Sequence, residues 1–388
     1  MKAVLGVAAV LTWFGRCQGL EFPYTGPEPG EVASRDAAVD VALDPDASGA
    51  LDASRPDSSD AAVDVREPCV GPPGLYVPGS CTTLAPGLRA YRTAYELWSD
   101  GADKERFIYL PPGTQIDTID PDRWAFPEGT RIYKTFGLDG LRIETRVLEK
   151  VAAPAVIESW TLVAYAWSPD QRSVSLADPA GVLDALGTTH DIPAQVQCRS
   201  CHQMPNHDVI NGFGAIQLNY AAAGFTLHEL IIKDLLVNSG GDPNVSLQAA
   251  RLPGDAVDQA ALGYLHANCG NCHGGPNPRA GFVLASLIGI TRVAATPAYL
   301  AAVCQCLTRW TGRDNAAGGV FTRRIVAGDA ADSGVIGRMS LRVTGEQMPP
   351  IGSARIDTAG LAAVSAWIDR LDPTLCAAAP ACAAPVSM

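Results

Sequence analysis

The chain has 388 residues, with 29 Lys plus Arg against 41 Asp plus Glu and a formal net charge of −12. That length accommodates two or three ordinary cores. An acidic balance with no basic stripe excludes nucleic acid as a partner.

The N-terminus, MKAVLGVAAVLTWFGRCQG, has a short positive start at Lys2 and an apolar run from Ala3 to Phe14. The run has the length of a signal-peptide core and is too short to span a bilayer. Residues 1–19 are therefore expected to be a signal peptide, and the protein to be exported, periplasmic or tethered to the cell envelope. Cys17 follows the run and could carry a lipid, the only membrane attachment expected. A lipidated cysteine normally follows a small residue, and here it follows Arg16, so the anchor stays an open alternative.

Residues 20–68 are expected to be a disordered tether. Between 25 and 67 there are eleven acids, three arginines and no aromatic residue, and DAAVDV occurs at 36–41 and again at 60–65. Such a segment buries too little apolar surface to offset its ordering entropy.

From 69 to 190 the pattern turns to strands. RFIYLPPGT (106–114) is an apolar run closed by Pro-Pro-Gly. LRIETRVLEK (141–150) alternates, with Ile143, Thr145 and Val147 opposed to Arg142, Glu144 and Arg146. WTLVAYAW (160–167) is bulky and β-prone. An antiparallel, β-sandwich-like N-terminal domain is expected, followed by a mainly α-helical region, so the class is α+β multidomain. Helical spacing appears over 226–236, 256–268 and 357–373. The last is capped by Asp357 or Thr358, striped by Leu361, Val364, Ile368 and Leu371, and stopped by Pro373. The remaining boundaries fall at 191–252, 253–374 and a C-terminal tail over 375–388.

Two of these segments carry the same spelling, C-x-x-C-H. It occurs as Cys198, Cys201 and His202 in the first, and as Cys269, Cys272 and His273 in the second. This is the attachment signature of a c-type haem. Two thiols on one helical turn reach the two vinyl groups on one porphyrin edge, and the adjacent histidine falls under the iron. Zinc and a disulfide pair are the competing readings, but paired C-x-x-C zinc sites usually lie closer together in sequence. Two covalently attached haem c groups are thus expected, with iron ligated by His202 and His273.

Met348, in GEQMPPIG, is the expected second axial ligand opposite His273, its loop stiffened by Pro349 and Pro350. Opposite His202 the candidates are His190, His207, His228 and Met339; Met204 and His207 lie close to the proximal side. An open distal site is an alternative. Six cysteines remain besides Cys17, and locality favours Cys69 with Cys81 and Cys376 with Cys382, leaving Cys304 to Cys306.

The chain resembles a family of exported bacterial di-haem c-type cytochromes with a β-rich N-terminal half and a C-terminal class I cytochrome c domain. The pieces carrying the resemblance are ELWSDGADKERFIYLPPGT (96–114), FPEGTRIYKTF (126–136), RIETRVL (142–148), QCRSCH (197–202), YLHANCGNCH (264–273), RIVAGDAADSGVIGRMS (324–340) and MPP (348–350). Together they cover roughly residues 90 to 372 apart from variable loops. The resemblance implies haem binding and electron transfer with redox partner proteins it does not name. No catalytic residue is expected of a carrier. A di-haem oxidoreductase of the peroxidase type, and an electron-delivering module docked to another enzyme, are the alternatives.

Overall fold

The computed structural model describes residues 68–202, 208, 210–221, 224–237, 249–275, 278–308, 310, 313–315 and 318–382. The expected signal peptide, Cys17, the tether up to residue 67, Met204 and His207 lie outside these residues. The described residues belong to one compact unit spanning 65–388.

The strands are β1 (Leu88–Tyr91), β2 (Asp103–Tyr109), β3 (Ile116–Asp117), β4 (Arg131–Leu138), β5 (Leu141–Lys150), β6 (Trp160–Trp167), β7 (Val174–Leu176) and β8 (Leu236–Val237). Six of them form an antiparallel meander in the order β1-β2-β4-β5-β6-β7, and β3 pairs with β8 in parallel. The expected antiparallel half followed by helices is what the chain forms. Its layering is specific: the six strands make one sheet, and turns and helices supply the layers that face it.

On one face Phe107, Tyr133 and Val147 pack under Leu75, Tyr76 and Leu84, a segment stapled by the expected Cys69–Cys81 disulfide. On the other face Ile108, Ile132, Leu148 and Trp160 join Trp124, Phe126, Phe213, Phe225 and Leu230 in the larger core. Phe213 meets Tyr91, Trp124 and Phe126 edge-on, at 4.9, 6.0 and 5.6 Å. Each such side chain, fully buried, contributes about 1.5–3 kcal/mol. This core therefore binds the segment after the first motif to the sheet.

The helices are α1 (Gln195–His202), α2 (Ala215–Leu218), α3 (Leu227–Ile232), α4 (Ala256–Asn268), α5 (Pro297–Ala302), α6 (Gly334–Met339), α7 (Thr358–Asp369) and α8 (Thr374–Ala377). The Asp255 carboxylate accepts from the Val257 and Asp258 N–H groups and starts α4, and Asp258 returns the bond to the Asp255 N–H. Asp357 caps α7 by accepting from the Gly360 N–H at 2.9 Å. The two helices meet at Gly360, where a Cβ would lie 1.9 Å from the Tyr264 ring. Of the expected stripe, Val364 and Ile368 are fully buried and Leu361 and Leu371 pack partly against the core. The helix expected over 226–236 is shorter. It ends at Ile232, Asp234 adopts a left-handed φ of 53°, and the chain turns out to pair β8 with β3.

The other two disulfides correct the local pairing: Cys304 bonds Cys376, and Cys306 bonds Cys382. The chain beyond α8 runs back over 304–306, held by Arg323, whose guanidinium donates to the carbonyls of Cys304 and Pro380. Each cysteine of the 304–306 pair thus meets one from the tail, a tertiary crossing invisible to sequence proximity. Three disulfides point to an oxidising compartment. Among the described residues no helix is long and apolar enough to cross a membrane.

Candidate functional site

The first motif is carried by α1, which lies along β6; Gln195 donates to the Leu162 carbonyl at 3.5 Å, and Arg199 faces Glu158 at 3.5 Å. Cys198, Cys201 and His202 are half-buried there. Six residues on, Asp208 fixes the following segment to the sheet. Its carboxylate accepts from the Phe126 N–H at 2.8 Å and from Trp160 Nε1 at 2.7 Å, and pairs with Lys150; both members of that ion pair are fully buried.

The second motif continues the end of α4. The Cys269 N–H donates to Leu265 and the His273 N–H to Cys269, so Cys269, Cys272 and His273 stay on one helical-type turn. His273 is buried and stacked on Phe282, with centroids 4.4 Å apart at 27°. Burial pushes its imidazole down, against the backbone carbonyls of Arg279 and Phe282. Its Nδ1 makes no hydrogen bond. Leaving such a buried polar atom unsatisfied costs about 1–3 kcal/mol.

The fold brings the two motifs together: the Cys201 and Cys272 thiols are close enough to shift each other's titration. That mutual interaction, ahead of burial, moves them apart, raising Cys201 and lowering Cys272. Cys269, buried behind them, is raised to about 12. Among the described residues no three His, Cys, Asp or Glu side chains converge as a metal cluster.

Met348 is half-buried in a loop tied to α6. Its N–H donates to the Arg338 carbonyl at 2.9 Å, and Arg338 Nε donates to the Glu346 carbonyl at 2.7 Å. The Arg338 charge in turn acts on His273. The far end of the loop is held by the ELWSDG segment. Asp100 accepts from the Ala354 and Arg355 N–H groups at 2.9 and 2.8 Å, and Trp98 Nε1 donates to the Arg355 carbonyl at 3.0 Å. The Trp98 N–H also donates to Asn268 at the end of α4, at 2.7 Å. One short segment of the β half therefore clamps both the helix before the second motif and the loop bearing Met348.

Of the candidates opposite His202, His228 is exposed on α3, and Met339 is buried in the helical core. His190 is buried with Nε2 2.8 Å from Glu144, which also accepts from Arg146 at 2.9 and 2.5 Å. Arg146 is near enough to Cys198 and Cys201 to feel both. This Glu144–Arg146–His190 group escaped the sequence reading, as did His266, whose Nδ1 accepts from the Ser286 N–H at 3.2 Å and which burial lowers to about 4. A signal existed for the first group: Glu144 and Arg146 are charges in the middle of an alternating strand. Comparison of the chain with protein-family models, with curated proteins and with solved structures finds no match.

Proposed function

We propose that the chain is a di-haem c-type cytochrome that transfers electrons outside the cytoplasm, with Cys198, Cys201 and His202 holding one haem and Cys269, Cys272, His273 and Met348 the other. One observation carries this reading: two C-x-x-C-H motifs, far apart in sequence, have their second cysteines close enough to shift each other's titration. Porphyrins attached at those cysteines would have neighbouring edges, the arrangement that passage of an electron between two irons requires. Bound haem supplies a one-electron couple at each iron, and the residues hold, orient and desolvate it.

The residues suit the group. His273, the histidine of the second motif, is buried and stacked on Phe282. Phe282 fixes the ring plane. The sequence helix α4, motif, Met-Pro-Pro loop, α7, with α4 packed on α7 at Gly360, has the order of the class I cytochrome c domain that the chain resembles. The apolar N-terminus and the three disulfides support export to the periplasm or cell envelope, with Cys17 as the lipid site if the protein is anchored.

A peroxidase-type reading, with an open distal side on the first haem, has one observation in its favour: His190, a candidate for that position, is committed to Glu144. Mass spectrometry of the denatured protein, made in cells that attach haem c, is the test. Two haem additions are expected, falling to one when Cys269 and Cys272 are replaced by Ala. A chain with no added mass overturns the proposal. Addition of azide or cyanide to the two-haem protein separates carrier from peroxidase type: an immediate spectral change means an open iron.

A further inference from the structure

Three cations stand directly opposite one another across the sheet: Arg106 on β2 pairs with Lys134 on β4, and Lys134 with Arg146 on β5. Like charges in register repel, and a fourth, Lys104, adds to the group. The carboxylates present are already engaged. Glu96 takes Arg106 at 3.2 and 2.6 Å and Lys104 at 3.5 Å, and Glu144 takes Arg146. Lys134 has no ion-pair partner among the described residues; its ammonium lies 4.8 Å from the centre of the Phe136 ring. The four cations thus outnumber Glu96 and Glu144, the two carboxylates that pair with them.

The row has a direction. Arg146, at one end, is near enough to Cys198 and Cys201 for their charges to act on it. Lys134 and Arg106 follow at one and two strand spacings from Arg146, about 5 and 10 Å, on the side away from β6, along which α1 lies. Arg106 and Lys134 line a cavity of about 180 Å³, which Gly270, Asn271 and Gly274 of the second motif also line. Of its other charged side chains, Asp208 is taken by Lys150 and Arg123 by Asp120 at 3.5 Å, and Asp122 accepts from the Ile288 N–H at 2.9 Å. Burial and the neighbouring cations push the Lys134 ammonium well down, a cost that an anion in the cavity removes.

We infer that Lys134, with Arg106 beside it, receives the carboxylate arms of the haem attached at Cys198 and Cys201; this rests on the di-haem reading above. A cation beside those arms favours the reduced haem and raises its potential.

The test is an optical redox titration of the haem-loaded protein, with the two waves assigned by a Cys198→Ala/Cys201→Ala variant that lacks the first haem. Lys134→Gln is expected to move the first-haem wave to lower potential and leave the other in place. Lys134→Arg should restore it, and Glu105→Gln, on the opposite face, should leave both waves unmoved. Lys134→Met, neutral and of similar reach, carries the same expectation should Lys134→Gln fail to accumulate. Unmoved waves in a two-haem protein overturn this inference alone, as does movement of the second-haem wave only. A wild-type protein with no haem mass overturns the di-haem reading, and the inference with it.

Discussion

The Cys201 and Cys272 thiols lie close enough to shift each other's titration although 71 positions separate them. In the haem-free chain this makes the four motif thiols unequal. The Cys201 thiol lowers Cys272, whereas burial raises Cys269 to about 12, so Cys272 is the more readily ionised of the two. Iodoacetamide at mildly alkaline pH should label Cys272 well before Cys269. Haem-loaded protein should resist labelling at all four positions. Equal labelling of Cys269 and Cys272 in the folded haem-free chain would show that this interaction is absent in solution.

Met348 and Met339 offer opposed expectations. Met348 is half-buried in a loop, and Met339 is 4% exposed in the helical core. Met348→Ala should abolish the weak charge-transfer band that a thioether gives at the red end of the ferric spectrum, and should lower one potential, since Met ligation raises it. Met339→Leu should keep the band and cost under about 1.5 kcal/mol, as a volume-conserving core exchange. Loss of the band in Met339→Leu with its survival in Met348→Ala reverses the assignment.

Much of this site was legible in sequence because it depends on local spacing. The C-x-x-C-H turns need one helical turn each. The bounds of β5 and β6, and of α4, coincide with pattern because one buried face repeats along each. What was not legible depends on which distant segments meet. The tail crossing that pairs Cys304 with Cys376 is one case. The register that sets Arg106 opposite Lys134 opposite Arg146 is another. Two strands read separately show unremarkable basic residues, and only their pairing makes a cationic row.

Asp100 should matter to the Met348 loop from a distance. Its carboxylate accepts the N–H groups of Ala354 and Arg355 while its own backbone has a φ of 55°. Asp100→Ala removes a charged acceptor and places Ala in a conformation it disfavours. A loss of about 2–3 kcal/mol is expected in urea unfolding, with a partial loss of the methionine band as the loop loosens. Asp100→Asn, which tolerates the left-handed conformation, should lose less. If Ala and Asn variants behave alike, the carboxylate clamp is not what holds the loop.

Lys150 and Asp208 form a fully buried ion pair, and Trp160 and the Phe126 backbone share the carboxylate. Removing one member leaves an uncompensated charge. Asp208→Ala should therefore cost about 3–5 kcal/mol. Lys150→Met should cost a comparable amount by stranding Asp208, whereas Lys150→Met with Asp208→Leu should recover much of the loss. Calorimetry of the three variants measures this coupling, and additive losses in the double variant would contradict it.

Glu144 sets a pH dependence whose sign is fixed by its neighbours. Burial would raise its carboxyl, but the Arg146 charge and the His190 and Arg146 hydrogen bonds outweigh this and hold it below the ordinary carboxylate value. An unfolded Glu titrates near about 4.3. Because the folded value is lower, the unfolded chain binds the extra proton first as pH falls. The stabilisation from ionised Glu144 is thus complete above the unfolded value and fades as pH drops through the folded one. Glu144→Gln keeps the shape but removes the charge that Arg146 and His190 share. It should be less stable at pH 7, by about 3 kcal/mol. Its stability should also decline less steeply than that of wild type on acidification below about pH 4.3. Urea unfolding at a series of pH values between neutral and about 3 gives both curves. If the variant and wild type run parallel across that acid window, Glu144 is not held ionised by Arg146 and His190, and the network beside the first motif has a different charge state.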